Sequence, residues 1–574
     1  MPVFFAIVRE NGQFVPRFTQ RPISTLMIKY WLLLFFLSAY VAQGQIKDPL
    51  ENVVITSSKK KTQVRTNKNG QLEVNISPED VQKFEAAGLV RYSDFGARGN
   101  GKTDDINAIA AAHAFANKHS LLVKADEGAT YYIGGQERTA VIQTDTDFGT
   151  SAFIIDDTKV QNRSAPVFLV SSSLQPFKPE GITSLKRNQK KVDVSLAGSS
   201  LITVTNSAVM HYIRFGLNQN NGSSQTDIFA VDKNGQVDAD APIIWDFDQI
   251  TEITALPIDE ETLYISGGRF TTIANQAESK YNYYSRNITI RRSNVLVDGL
   301  EHRITGEGDQ GAPYRGFITI EDCAYVTVKN TTLTGHKTYR TIGRAGKPVS
   351  MGSYDLSVSR ALNVSFVNCR QTNDIDDRTY WGILGSNYCK NLLYDSCTFS
   401  RFDAHKGVAN ATIRNSTLGH MGINAIGSGT LTVENTTVRG RSLVNLRSDY
   451  GSTWQGEFII RNCTFVPNGG RTSSASLISG SYSGQHDFGY TCYMPERITI
   501  EGLHIDDSNH PEDYLGAAIF TDLNPEMTDD SFQEKFPYVR TREVVLRDVT
   551  TASGKPLRIS DNQFMFKGVK VEID

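Results

Sequence analysis

The chain has 574 residues, a formal net charge of −3, 39% apolar residues and 21% charged ones. That composition excludes global disorder. The near-neutral balance excludes broad charge-driven nucleic-acid binding, though not a local basic cleft for an acidic polymer.

Near the N-terminus, Met27-Ile28-Lys29-Tyr30 precedes the apolar run Trp31 to Ala42, followed by the small residue Gly44. Charged, apolar and small regions in that order predict a secretory signal over 27–44, with residues 1–26 an upstream extension and Met27 the start. The run is short for a membrane span, so no span is expected in the mature chain, which is expected to be secreted or periplasmic. Six cysteines are too few for a disulfide framework in a chain this long, and no CxxC or His/Cys cluster points to a metal site. Residues 45–90, polar with a basic spot at Ser57–Lys61, read as a linker or loosely docked segment before a main domain over 91–574.

Next comes YSDFGARGNGKTDDINAIAAAHAFANKHS, Tyr92 to Ser120. Thr103 and Asp104 can cap an amphipathic helix from about Asp105 to His119, whose Ala/Ile/Phe face can plug the end of a stacked core. The phrase Asp94–Ile109, followed by YYIGG (Tyr131–Gly135) and FIIDD (Phe153–Asp157), resembles the N-terminal module of the pectate-lyase superfamily. The resemblance implies an all-β, right-handed single-stranded parallel β-helix with an N-terminal capping helix, acting on polysaccharides. It says little about the reaction, because lyases, glycosidases, epimerases and tailspikes share that module.

From about 186 to 273 the pattern changes to alternating strands with Asn-Gly turns, which predicts antiparallel hairpins in a β-rich insertion. Beyond it, VTVKNTTL (Val326–Leu333), VSFVNCRQ (Val364–Gln371), LLYDSCTF (Leu392–Phe399), ATIRNSTL (Ala411–Leu418), LTVENTTV (Leu431–Val438) and FIIRNCTF (Phe458–Phe465) repeat one phrase. Short strands with Asn/Gly/Ser turns, repeating at intervals of about 20 residues, are the pattern of a parallel β-solenoid. Asn330, Asn415 and Asn435 read as turn residues rather than glycan acceptors. Cys369, Cys397 and Cys463 fall at equivalent places in the repeat.

Counting along the repeat gives an outward row of Tyr354, Gly382, His405, Asn424 and Asn445, flanked by Asp403 and Arg447. Coils stack about 4.8 Å apart, so neighbours in such a row can share one sugar unit. The loop Gly335–Pro348 brings His336, Tyr339 and Arg340, and the stretch Arg447–Trp454 adds Tyr450 and Trp454, aromatics suited to sugar stacking. Asp374, Asp376 and Asp377 form either a calcium cluster or an acidic turn, and the lack of a calcium-loop spacing favours the turn.

β-Elimination on a uronate needs a group to neutralise the C6 carboxylate, a base for the C5 proton and an acid for the leaving oxygen. His405 or Lys406 is expected as base and Tyr354 as acid or second base. Asn424, Asn445, Arg447, Asp403, His336, Tyr339, Arg340, Tyr450 and Trp454 are expected to bind substrate. Strict alternation aims Lys406 inward, which is expensive for an ammonium, so either the strand breaks there or Lys406 is not catalytic. The expected activity is a lyase on an acidic polysaccharide, which the resemblance narrows to a glycosaminoglycan or pectin type. The alternatives are a polygalacturonase-type hydrolase, whose spread-out Asp groups and Arg-x-Lys are missing, and a non-enzymatic glycan-binding tailspike or adhesin. The pattern leaves the number of subunits open.

Overall fold

One inward position runs the length of the coil. Leu263, Val295, Val326, Val364, Leu392, Ala411, Leu431, Phe458, Ile498, Val544 and Val571 lie over one another in parallel register. All but the last are buried. Each larger aliphatic chain in such a column contributes about 1.5–3 kcal/mol of burial that no single coil could supply alone. The fold is thus an all-β parallel β-helix. The repeated threonines are in register too, with Thr398 over Thr417, Thr417 over Thr437 and Thr437 over Thr464. This computed structural model describes residues 53–58, 62–275, 283–309, 311–471 and 474–573. The expected signal segment at 27–44 lies outside them. No helix among the described residues is long and apolar enough to cross a membrane.

The coil corners explain the asparagines. Asn330, Asn368, Asn415, Asn435 and Asn462 hold left-handed backbone (φ 47° to 52°), which Asn tolerates better than other side-chain-bearing residues. Their amides bond from coil to coil: Asn368 Nδ2 donates to Asn330 Oδ1 at 2.7 Å and Asn435 Nδ2 to Asn415 Oδ1 at 3.2 Å. Cys369, Cys397 and Cys463 each follow such a corner residue, and all six cysteines are buried free thiols.

The helix Ile106–His119 buries Ile106, Ile109, Ala112, Phe115 and Ala116 against the first coils, and Asp104 Oδ1 accepts the Ile106 N–H at 3.1 Å. Within the stretch expected as a linker, the described residues 53–58 and 62–90 are folded. Val53–Ser57, Gln63–Thr66 and Leu72–Ile76 form a three-stranded sheet, and Pro78–Ala87 is a helix capped by Ser77. The reason is a short alternation: Leu72, Val74 and Ile76 all point into the core.

Between the coil strands Phe168–Ser171 and Leu263–Ile273 lies a separate antiparallel sheet. Its middle strand, Ser200–His211, pairs with Ser223–Val231 on one side and Glu252–Pro257 on the other. This insertion has its own core, including Leu185, Ile202, Phe229 and Phe247. It is fastened to the coil by a buried ion pair, Lys390 Nζ to Asp227 Oδ1 at 2.8 Å, and by Lys390 donating to the Pro242 carbonyl. Burying both charges is tolerable only because each has the other and further hydrogen bonds.

Candidate active site

The strand Thr398–Arg414 lies over Thr417–Glu434 with Phe402 on Ile423, Asp403 on Asn424 and Ala404 on Ala425, and then Val408 on Gly427. Four steps on one strand thus match two on the other. This bulge suspends alternation, so both His405 and Lys406 stay out of the core, half-buried, while Ala404 and Val408 enter it. Gly407, inside the bulge, has φ +60°, and a Cβ there would sit 2.8 Å from the Tyr388 ring. The same register corrects the expected row: Asp403, not His405, stacks on Asn424.

The Asp403–Asn424–Asn445 row is a structural ladder rather than a substrate-binding surface. Asp403 is buried and ion-paired with Arg401. Asn424 Nδ2 donates to the Met421 carbonyl at 3.1 Å, Asn445 Nδ2 to Asn424 Oδ1 at 2.7 Å, and Ser479 Oγ to Asn445 Oδ1 at 3.2 Å. Amides one coil apart satisfy each other before a ligand arrives. At Gly382 a Cβ would collide with the Arg401 side chain, which lies over the Trp381 ring.

A cationic cluster is built one step further along. Asp449 is held by two guanidinium groups. Arg447 reaches it at 2.8 and 3.2 Å, and Arg214, from the insertion, at 2.6 and 2.8 Å. The Tyr450 ring lies 5.3 Å from the Arg214 guanidinium and 5.4 Å from that of Arg447, and the His405 ring meets it edge-on at 5.3 Å. Tyr450 is therefore a buried strut of the cleft rather than an open stacking platform. Lys406 Nζ donates to Ser223 Oγ of the insertion at 3.2 Å and lies over the Tyr388 ring. Tyr354 is half-buried, its ring against Gly385, close enough to Tyr450 to act on it electrostatically.

These neighbours set the protonation states. Burial, then the charges of Arg447, Lys406, Arg401 and Arg214, holds the His405 imidazole well below its ordinary range, so it is neutral near pH 7. Its Nδ1–H donates to Asn387 Oδ1 at 2.9 Å, which leaves Nε2 as the basic nitrogen. Burial, with Arg214 and Arg447, lowers Lys406 to about 8. Among the described residues paired with Arg214, Arg401 and Arg447, Asp403 and Asp449 supply the carboxylates, so with Lys406 the positive charges outnumber the negative ones, which suits an anionic group.

Several expected site residues lie elsewhere. Trp454 is fully buried, its Nε1 donating to the Gly429 carbonyl at 2.9 Å, so it is core rather than a sugar platform. His336 is buried in a polar chain in which Asp355 Oδ1 bonds His302 Nδ1 at 2.7 Å and His336 Nε2 at 3.0 Å, with Glu307 3.4 Å from His336 Nδ1. Burial opposes its charge, but Asp355 and Glu307 outweigh that and push its pKa up to about 9. Tyr339, by contrast, borders the site from behind: it is buried beside Tyr283, which feels both Tyr354 and Arg214, while Arg340 is exposed on the hairpin Tyr339–Met351. Asp374 Oδ1 accepts the Asp376 N–H, Asp377 Oδ1 accepts from Thr379, and Asp376 pairs with Arg439 at 2.6 Å. That is an acidic turn, and no group of three or more potential metal ligands is gathered among the described residues.

Arg214 and Ser223 were not foreseen. They come from the Asn-Gly-rich stretch of the insertion, where sequence shows only strands and turns and gives no sign of which coil they meet. Asn387 and Arg401 had a weaker signal, their positions in the repeat next to His405.

No family model matches the chain. Over an alignment of 164 residues the chain is 27% identical to a capsule KL64-specific depolymerase of Klebsiella phage P510, a match covering 23% of this chain and 16% of that protein. The tailspike gp61 of Pseudomonas phage phi297 superposes with a TM-score of 0.50 at 13% identity, covering 80% of each chain. The gp54 tailspike of Acinetobacter baumannii bacteriophage AP22, solved with a capsular saccharide, gives 0.47 at 10% identity over 88% of this chain and 81% of the other. The phi297 likeness is one of fold.

Proposed function

We propose that this chain is an exported polysaccharide lyase of the pectate-lyase type, cleaving a uronate-containing glycan by β-elimination in the cleft around His405. The observation that carries this reading is a neutral imidazole placed among four cations. Arg214 and Arg447, with Lys406, receive the C6 carboxylate and stabilise the enediolate that forms as the C5 proton leaves. His405 Nε2 takes that proton. The electron pair forms the C4–C5 double bond as the C4–O bond breaks, and the Tyr354 hydroxyl gives its proton to the departing oxygen. Hydrolysis calls for a carboxylic acid that stays protonated, and both cleft carboxylates are instead clamped by guanidinium groups. The partial likeness to a capsule depolymerase supports a polysaccharide as substrate.

The test is digestion of acidic glycans of pectin, glycosaminoglycan and capsular type, following both the ultraviolet absorbance of unsaturated uronate and new reducing ends. Both signals together are expected. Reducing ends without the absorbance identify a hydrolase, and binding without either identifies an adhesin.

A further inference from the structure

The insertion sheet has two ends. One, at His211 and Ser223, borders the cationic cleft. The other, at Ser199, Val231 and Pro257, borders a groove of about 1050 Å³ between the insertion and the coil corner. Twelve residues of strand separate them, on the order of 35 Å. The groove is at the upper end of the ~300–1,000 Å³ usual for ligand pockets, large enough for more than one sugar ring.

Three features of the groove are unexplained by the coil. The first is Tyr325. Register places it in a corner row with Asn294, Asn363, Asn391 and Asn410. The asparagines hold left-handed backbone, and Asn391 and Asn410 bond along the stack. Tyr325 holds φ +61° in the same row, a conformation that disfavours a bulky side chain, and is 40% exposed at the groove. The second is Asp259, which lines the groove and is only 7% exposed. Its Oδ1 is used by Ser172 and Arg292, while its Oδ2 is buried without a hydrogen-bond partner. The third is charge. Asp232, Asp238, Asp259, Glu260 and Glu261 line the groove, where Arg292 is the one cation among the described lining residues, with Lys191 and Lys390 acting on Asp232 and Asp238 from outside it.

We propose that this groove is a second, non-catalytic carbohydrate site that holds an uncharged stretch of glycan. A pyranose presents C–H groups on its faces and hydroxyls round its edge. The C–H face packs on the Tyr325 ring, whose π face is electron-rich. The edge hydroxyls donate to Asp259 Oδ2 and to the rim carboxylates, which satisfies the orphaned oxygen. The acidic rim repels uronates, the opposite selection from the cleft. The proposal is independent of the cleavage reading, because binding is measured directly.

The experiment is isothermal titration of the full chain with two uncharged probes, cellohexaose and chitohexaose, and with hexagalacturonate. At least one uncharged hexamer is expected to bind. Its affinity is expected to fall about ten-fold or more in Tyr325→Ala and in Tyr325→Asn, and to be unchanged in His405→Ala. Tyr325→Asn restores the corner residue used in the rest of the row, so its melting temperature is expected to hold or rise while binding is lost. The proposal is overturned if neither uncharged hexamer binds, if binding survives both Tyr325 variants, or if hexagalacturonate displaces the uncharged hexamer.

Discussion

The coil and the cleft are made of the same residue types but by different rules. In the coil the repeating contacts are with the previous or next turn, so Asn435 meets Asn415 and Val433 meets Ile413 at intervals of about 20 residues. In the cleft the contacts that matter are long-range: Arg214 to Asp449 and Lys406 to Ser223. A periodic scaffold tolerates the loss of one rung member because its neighbours remain. A site joined from two remote segments depends on each of them. Chemistry should therefore be fragile at the junction and the fold robust along the stack.

The largest effect is expected from His405→Ala. Removing the base should lower kcat about 10²–10⁴-fold, while the melting temperature stays near that of the parent because the side chain lies outside the core. Retained turnover in that variant would remove the imidazole from the mechanism. Next is the fastening of the insertion. Lys390→Met strands the Asp227 carboxylate in a buried site and should cost about 3–5 kcal/mol in denaturant unfolding. Adding Asp227→Leu should recover much of that. No recovery would mean that packing, not charge, holds the insertion in place.

The buried His336 gives a stability signal away from the cleft. Its pKa rises on folding from an ordinary 6.5 to about 9. The stabilisation is therefore complete below about pH 6.5 and lost as pH climbs toward 9, on the order of 3 kcal/mol in all. His336→Gln should flatten unfolding free energy across that window, and an unchanged slope would rule out this histidine as its source. A smaller effect is expected in the pH profile of catalysis. The rate should fall on the alkaline side as Lys406 loses its proton near pH 8. Arg214→Gln removes a repelling cation, so that limb should move to higher pH. A shift downward would show that Arg214 does not act on Lys406. The smallest is Asn424→Ala, about 1 kcal/mol of stability with KM unchanged, whereas a raised KM would return Asn424 to the substrate.

The stack was legible because its physics is local. Inward aliphatics, corner asparagines and paired threonines each recur in phase, and alternation correctly put Phe402, Ile423 and Val444 inside. Alternation fails at 404–408, where a bulge keeps Lys406 out of the core, while the count from the threonines slips earlier, where the two steps from Phe399 to Arg401 match the four from Leu418 to Gly422 and so bring Asp403 rather than His405 over Asn424. The strands and helix within residues 53–58 and 62–88 are hard to see in sequence because their apolar alternation is short and set among polar residues. Trp454 and His336 show that a polar or aromatic residue type says nothing about burial: Trp454 opens a coil strand and His336 sits in a segment folded against the coil, and both are buried. Arg214 was invisible for another reason: no property of HYIRFGLNQNNG specifies which turn of the coil it will face.

The Arg214–Asp449 link spans 235 residues of chain. At the usual ~5–20 residues per second, a ribosome adds the second partner roughly 10–50 s after the first. During that interval the guanidinium has no carboxylate to receive it, and the cleft does not exist. The arrangement around His405 is therefore completed only when translation is well past its midpoint, at residue 449 of 574.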